Sequence, residues 1–243
     1  MHLFSSLHRA SFSIAPGLCL LCNQATSRRF DLCTACELEL PQLTQGCYYC
    51  ADPITDTGIC ARCMSDTPAF SAVLCAFEYA HPVDHLIQEF KDRGSRASGF
   101  VLTQLAKEQL ASQLQVIPQR DLLMTSVPLH AARVRKRGFN QAELIADWLS
   151  EATGIETNHK LLKRIRRTDS QRTLEISDRQ RNLRRAFQVV KPSGVRNRTL
   201  VLVDDVVTTT STVREVSQCL IEAGAADVIV VALARTTLQR PGY

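Results

Sequence analysis

Eight cysteines near the start of the chain form four Cys-x-x-Cys pairs, separated by ten, ten and nine residues. A Cys-x-x-Cys pair directs two thiolates at one ion, and two such pairs complete a tetrahedral four-cysteine zinc site. The pattern therefore predicts two structural Zn2+ ions. The predicted ligands are Cys19, Cys22, Cys33, Cys36, Cys47, Cys50, Cys60 and Cys63.

Other uses of these cysteines fit the sequence less well. A disulfide framework needs an oxidising compartment, and no segment here directs the chain to one. A redox Cys-x-x-Cys is expected once, beside a βαβ unit, and not four times in a short segment. Pairing in chain order would give two successive zinc ribbons, and alternate pairing would give a cross-braced module. The short loops favour chain order, but the spacing alone leaves both arrangements open.

A second pattern occupies residues 199–213, with the sequence TLVLVDDVVTTTSTV. It predicts a buried strand, then Asp204 and Asp205, then a hydroxyl-rich loop that opens a helix. Ligands of open α/β sheets bind at the carboxyl ends of the strands, and free amides at a helix start attract anions. Paired carboxylates followed by such a loop fit a ribose 5-phosphate. The alternative is an ordinary strand followed by a capped helix.

Regular elements must position these residues. Apolar runs of β-forming residues predict strands at 71–79, 121–129, 199–203 and 227–234. Apolar residues at helical spacing predict helices at 85–91, 100–114, 140–152 and 212–223. Strands that are apolar on both faces and alternate with helices indicate an α/β fold with a mainly parallel sheet flanked by helices. The predicted domains are an N-terminal arm (1–18), a Cys-rich zinc-ribbon module (19–66) and the α/β domain (70–243).

Composition and charge narrow the class of protein. The 243 residues are 45% hydrophobic and 22% charged, which excludes a mostly disordered chain. No uncharged apolar run reaches the roughly 18–20 residues of a transmembrane helix, and no signal peptide is recognisable, so a cytoplasmic location is expected. Eight thiolates and two Zn2+ would bring the formal net charge of +5 close to zero. Residues 133–198, however, hold 17 Lys and Arg against 7 Asp and Glu. This basic segment predicts an anionic ligand, either a polyphosphate or a nucleic acid.

Two further segments accompany the acid-pair motif: VPLHAARVRKRGFNQAELIA at 127–146 and RRTDSQRTLEISDRQRNLRRAF at 166–187. The acid-pair motif is similar to the phosphoribosyl pyrophosphate (PRPP) motif of type I phosphoribosyltransferases. Together, the three segments resemble the ComF/GntX family, which is associated with competence and DNA uptake or utilisation. This resemblance implies a type I phosphoribosyltransferase-like sheet behind a double zinc ribbon. Thr210 departs from the family loop, which usually has glycine there. Its β-branched side chain either tightens the loop or weakens phosphate binding.

The resemblance also implies roles for individual residues. Asp204 and Asp205 would hold the ribose hydroxyls of PRPP, with Mg2+ bridging these hydroxyls and the diphosphate. The segment at 166–185 would cover the site as a mobile loop. Lys91, Asn140 and Gln141 fit a ligand contact or a purely structural place equally well. The residues implied around the 5-phosphate are Val207, Thr208, Thr209, Thr210, Ser211 and Thr212, and those implied around the pyrophosphate are Pro128, Leu129, Arg133 and Arg137.

Two classes of function follow from this resemblance. In the first, the chain is a protein of DNA uptake that retains a PRPP site, with single-stranded DNA and a helicase-like DNA-uptake protein as candidate partners. In the second, it is a Mg2+-dependent phosphoribosyltransferase that acts on an unidentified acceptor, unrelated to direct DNA binding.

Overall fold

The computed structural model describes residues 17–54, 58–115, 117–118, 121–166 and 186–237. Within them, four strands form one sheet: β3 (Ala72–Glu78), β4 (Leu122–Ser126), β7 (Thr199–Val207) and β8 (Asp227–Arg235). All four are parallel, in the order β3-β8-β7-β4. Two short antiparallel pairs complete the strand set: β1 (Gly17–Leu18) with β2 (Ala25–Thr26), and β5 (Leu162–Arg164) with β6 (Phe187–Val189).

Seven α-helices lie in the described ranges. They are α1 (Thr34–Leu38), α2 (Ala61–Ser65), α3 (Val83–Asp92), α4 (Arg96–Leu114), α5 (Ala131–Arg137), α6 (Gln141–Thr153) and α7 (Ser211–Glu222). In this part of the chain, none of the helices is both long enough and apolar enough to cross a membrane.

The sheet separates two apolar cores. On one face, buried residues of α3, α4 and α6 pack against alternate residues of the strands, such as Val201 and Val231. On the other face, α7 and the β5–β6 pair cover residues such as Leu202 and Val230. Both faces of the central strands are therefore buried, as expected of a parallel sheet. The predicted fold class, a parallel α/β sheet flanked by helices behind a Cys-rich module, is confirmed.

The Cys-rich module lies along the β3 edge of the sheet. The amide of Leu43 donates to the carbonyl of Ala76, and the amide of Glu78 donates to the carbonyl of Pro41, both at 2.9 Å. Cys19 packs into the core on the α3–α4 side, whereas Ala51 packs into the core on the α7 side. The module thus covers an otherwise open strand edge and contributes to both cores.

The predicted strands and helices all form, with shifted ends. β7 continues four residues past its predicted end and includes Asp204 and Asp205. Helix α5 was not predicted, because its basic sequence AARVRKR has no apolar stripe; it starts at the His130 cap and ends at Gly138 in the left-handed conformation. Most of the predicted covering loop and nearly all of the predicted N-terminal arm lie outside the described residues.

Candidate functional site

The eight predicted zinc ligands lie in two groups of four, and the ligand atoms of each group are all within 4.8 Å of one another. The first cysteine group is Cys19, Cys22, Cys33 and Cys36, and the second cysteine group is Cys47, Cys50, Cys60 and Cys63. The pairing therefore follows chain order, which the spacing had left open.

The sulfur geometry of both groups fits zinc. Sulfurs about 2.3 Å from one tetrahedral ion lie about 3.8 Å from each other. The Cys22–Cys33 and Cys50–Cys60 sulfur pairs are each 3.7 Å apart. Burial raises the pKa of Cys63, and the negative charge of Cys50 raises it further. Four thiolates this close need a cation to hold them together, so these groups are suited to a structural metal.

The acid pair, Asp204 and Asp205, lies near the carboxyl end of β7. The ammonium of Lys91, in the last turn of α3, is 3.0 Å from Oδ1 of Asp205, and the two side chains are only 27% and 14% exposed. Burial raises the pKa of Asp204 to about 7, and the Asp205 carboxylate contributes to the rise, whereas Lys91 opposes it. Lys91 thus pairs with Asp205, while Asp204 has a raised pKa that a cationic or hydrogen-bond-donating ligand would lower.

The threonine loop, residues 208–212, follows β7 and opens α7. The amides of these five residues donate to no atom in the described part of the chain. The hydroxyls of Thr209 and Ser211 are 2.9 Å apart. Free amides at a helix start, joined by hydroxyl groups, form a site that favours an anion.

Thr210, in place of the expected glycine, adopts the left-handed conformation with φ of 63°. A β-branched residue rarely does so, and the strain is of order 1–3 kcal/mol. Its side chain is buried, and its hydroxyl accepts a hydrogen bond from Nε of Arg214 at 3.1 Å and donates one to the Thr209 carbonyl at 2.6 Å. The backbone therefore keeps the shape that glycine favours, and the added side chain bonds within the protein.

The loop after β4 lies beside the acid pair, because Ser126 is in register with Val203 on β7. The amide of Val127 donates to the Val203 carbonyl at 2.8 Å. Asn140 caps α6 and also donates from Nδ2 to the Val127 carbonyl at 3.1 Å, so it fixes this loop. Pro128 is buried and Leu129 is half-buried.

The basic residues of the predicted pyrophosphate site have different surroundings. Burial lowers the pKa of Arg164, on β5, and so does the positive charge of Arg133, while Asp204 opposes the change. Arg133 and Arg164 therefore lie within electrostatic reach of each other, and Arg164 lies within reach of the acid pair. Arg137 is engaged elsewhere, with Gln141 at 2.8 Å and Asp92 at 3.7 Å.

Sequence analysis did not assign some of the residues near the site. The role of Lys91 was ambiguous, since a basic residue at a helix end is usual on any surface. Nothing in the sequence indicated that Arg164 lies near the site, because a lone arginine in a short polar strand is ordinary. A role for Arg235 could have been suspected, since this charged residue ends an apolar strand whose other residues are mostly buried.

We expect elemental analysis to find about two zinc ions per reduced chain. Cys22→Ser and Cys60→Ser should each reduce the content to about one, because each removes a ligand from a different group. Cys219→Ser, which lies outside both groups, should keep about two. A folded, reduced wild type without zinc would contradict this assignment.

We expect Asp204→Asn to stabilise the protein at pH 8. The pKa of Asp204 is raised from 3.8 to about 7, so the wild type loses stability as the pH rises between these values. An amide does not titrate, so the gain should shrink at pH 5. Each kcal/mol corresponds to about 2–4 °C in the unfolding midpoint. Glu151→Gln, at an exposed carboxylate, should show no such gain, and a lower midpoint for Asp204→Asn at pH 8 would contradict the assigned pKa.

Comparison with known proteins places this chain in a family. No family model matches it. It is 34% identical over 228 residues to the DNA utilization protein YhgH of Escherichia coli K12, covering 91% of this chain and 98% of that one. It is 32% identical over 244 residues to competence protein F of Haemophilus influenzae, covering 96% and 97%. A solved phosphoribosylpyrophosphate synthetase from Mycobacterium smegmatis is 19% identical, with a TM-score of 0.37, and the match covers 70% of this chain and 55% of that one. On the two sequence relatives, the chain belongs to the ComF/GntX family of competence and DNA utilisation proteins.

Proposed function

We propose that this protein acts in DNA uptake or utilisation and binds PRPP, or a related ribose phosphate, at the acid pair and the threonine loop. One observation carries the proposal: two adjacent, half-buried carboxylates stand beside a loop whose five amides donate to no atom of the described residues. Carboxylates accept hydrogen bonds from vicinal ribose hydroxyls, and the amides donate to a phosphate. The two parts belong to consecutive segments of one strand–loop–helix unit, as a ribose 5-phosphate requires.

The acid pair also fits Mg2+, which prefers carboxylate oxygens and substrate phosphates as ligands. Asp204 and Asp205 are the residues that would hold it, and when bound it would neutralise the diphosphate. The ammonium of Lys91, 3.0 Å from Oδ1 of Asp205, places a positive charge beside the acid pair. The threonine loop would fix the 5-phosphate, and the ribose would then lie across the end of β7.

A second candidate function is phosphoribosyl transfer to an acceptor. Arg164 lies within electrostatic reach of Asp204, and Arg133 within reach of Arg164. Two such guanidinium groups favour this function, because they suit a departing pyrophosphate. In that reaction the carboxylates would stabilise positive charge that develops on the ribose, and the arginines would stabilise the leaving group.

The proposed link to DNA rests on the relatives and on the surface of the Cys-rich module. The names of the two relatives refer to DNA utilisation and competence. Five large apolar residues on or beside the module are exposed: Leu18, Leu38, Tyr48, Ile59 and Met64. Tyr48, 68% exposed, packs edge-on against Tyr49. An exposed aromatic ring stacks on bases, and the basic segment at 133–198 attracts phosphates. Single-stranded DNA is therefore the proposed macromolecular ligand, with a helicase-like uptake protein as a further partner.

Calorimetric titration of Mg-PRPP tests the site. We expect the zinc-loaded wild type to bind, and the double variant Asp204→Asn/Asp205→Asn to lose at least about 100-fold in affinity, because each lost charge-assisted hydrogen bond costs about 1.5–3 kcal/mol. Asp147→Asn, a carboxylate of the exposed face of α6, should bind as the wild type does. Failure of a folded, zinc-loaded wild type to bind would contradict the proposed site.

Titration of labelled single-stranded DNA at several salt concentrations tests the proposed binding of DNA. We expect affinity to fall steeply with salt and Tyr48→Ala to weaken binding by about 10-fold, since one stacked base contributes about 1–3 kcal/mol. Ile165→Ala removes an exposed apolar residue outside the module and should change little. Equal binding by Tyr48→Ala and wild type would contradict stacking at Tyr48, and no binding at low salt would exclude direct DNA contact.

A further inference from the structure

Three arginines join the second cysteine group to the threonine loop, although the two are distant in sequence. Arg235, at the end of β8, has no exposed surface. Its Nε donates to the carbonyl of Cys50 at 2.8 Å, and its Nη1 donates to the carbonyl of Thr208 at 2.6 Å and to that of Val207 at 3.2 Å. Its Nη2 forms no hydrogen bond within the described residues and lies 3.4 Å from Oδ1 of Asp52. This buried guanidinium is therefore shared between the second cysteine group and the threonine loop.

Arg62 makes a second connection. It lies between two ligands of the second cysteine group, on α2. Its Nη1 donates to the carbonyl of Thr209 at 3.3 Å, and its Nη2 donates to the sulfur of Cys50 at 3.7 Å. Oδ2 of Asp52 is 3.9 Å from Nη2 of Arg62, and Oδ1 of Asp52 is 3.4 Å from Nη2 of Arg235. One buried carboxylate therefore forms ion pairs with both guanidinium groups.

Arg214 makes a third connection from the first turn of α7. Its Nε donates to the hydroxyl of Thr210, as described above. Its Nη1 donates to the carboxylate of Asp66 at 3.0 Å, and its Nη2 donates to the carbonyl of Asp66 at 2.8 Å and to the sulfur of Cys63 at 3.8 Å. The left-handed Thr210 is therefore held by Arg214, which also contacts Cys63 of the second cysteine group and Asp66 at the end of α2.

Four consecutive residues, 207–210, thus each offer one oxygen to an arginine that also contacts the second cysteine group. Because three of these oxygens are backbone carbonyls drawn toward the arginines, the amides of the threonine loop are left for a ligand. The loop has a strained residue at its centre and depends on outside contacts to keep its shape.

We infer that Arg62, Arg214 and Arg235 are positioning residues that couple the second cysteine group to the threonine loop, so that metal at the one and ribose phosphate at the other favour each other. The ligand in this statement rests on the proposed function, whereas the coupling of metal to loop order does not. A bound metal would order the second cysteine group and with it the neighbouring Asp52 and Asp66. The arginines bond both to these residues and to the threonine loop, so the loop is ordered as well. Such coupling is reciprocal, so the ligand must also strengthen metal binding.

The first cysteine group provides a matched control. Its neighbouring arginine, Arg28, donates to the carbonyl of Leu32 at 3.3 Å and to the carboxylate of Glu37, and both acceptors belong to the module. Among the described residues, the hydrogen bonds of the first group do not reach the threonine loop. Removing one ligand from each group therefore costs one metal in both cases, but only one change should disturb the loop.

The test uses the full chain and two readouts, amide hydrogen exchange of residues 207–213 and calorimetric titration of Mg-PRPP. In Cys60→Ser we expect exchange in the loop to rise at least about 10-fold and affinity to fall at least about 5-fold, within the usual range of coupling. In Cys22→Ser both should stay within about 2-fold of wild type. Equal loop exchange and equal affinity in the two variants would overturn the coupling.

Two further variants keep all eight cysteines, and they test the coupling even if Cys60→Ser does not fold. Asp66→Asn weakens the Arg214 contact at an exposed carboxylate, and Arg62→Gln removes the contact to Thr209. Each should raise loop exchange by about 2- to 5-fold with zinc content unchanged, and unchanged exchange in both would overturn the proposal. If the variants raise loop exchange but the wild type does not bind Mg-PRPP, the coupling is supported and the proposed ligand is contradicted. If the wild type binds Mg-PRPP but no variant changes loop exchange, the proposed ligand is supported and the coupling is contradicted.

Discussion

The burial of two adjacent carboxylates near the end of β7 constrains the rest of this structure more than any other feature. Isolated charges at a strand end are costly to bury, so neighbouring elements must compensate for them. Helix α3 brings Lys91 to Asp205, and β5 brings Arg164 within electrostatic reach of Asp204. The parallel register of β4 with β7 then sets a second loop beside the acids. Because this compensation is partial and the pKa of Asp204 stays raised, the acid pair is suited to a polar ligand.

The Cys-rich module is built into this arrangement and is not a separate appendage. It covers the β3 edge, contributes Leu40 to one core and Leu43 to the other, and supplies acceptors to arginines of the α/β domain. The sulfurs of Cys50 and Cys63 and the carboxylates of Asp52 and Asp66 lie beside the three guanidinium groups. A metal site of this kind stabilises a small segment that has too few apolar residues for its own core, and here it also supports a loop.

Local patterns in the sequence were enough to predict the cysteine ligands, the α/β class and the strand–acid–loop–helix unit. Each of these depends on residues close together in the chain, whose spacing reflects ligand geometry or helical and strand periods. The arginine contacts could not be predicted in this way, because Arg62 and Thr209 are separated by 147 positions. The glycine usual at this position in the family loop hinted at the left-handed conformation of Thr210. The contacts that hold a threonine in that conformation could not be predicted from the sequence.

A crystal structure of the zinc-loaded protein grown with Mg2+ and ribose 5-phosphate would test the central claim most directly. Ribose 5-phosphate shares the two groups that the site should recognise, without a pyrophosphate to provide binding elsewhere. The account predicts the phosphate at the amides of residues 208–212 and the ribose hydroxyls at the carboxylates of Asp204 and Asp205. A ligand seated away from both, or a phosphate bound only by exposed side chains of the basic segment, would contradict it.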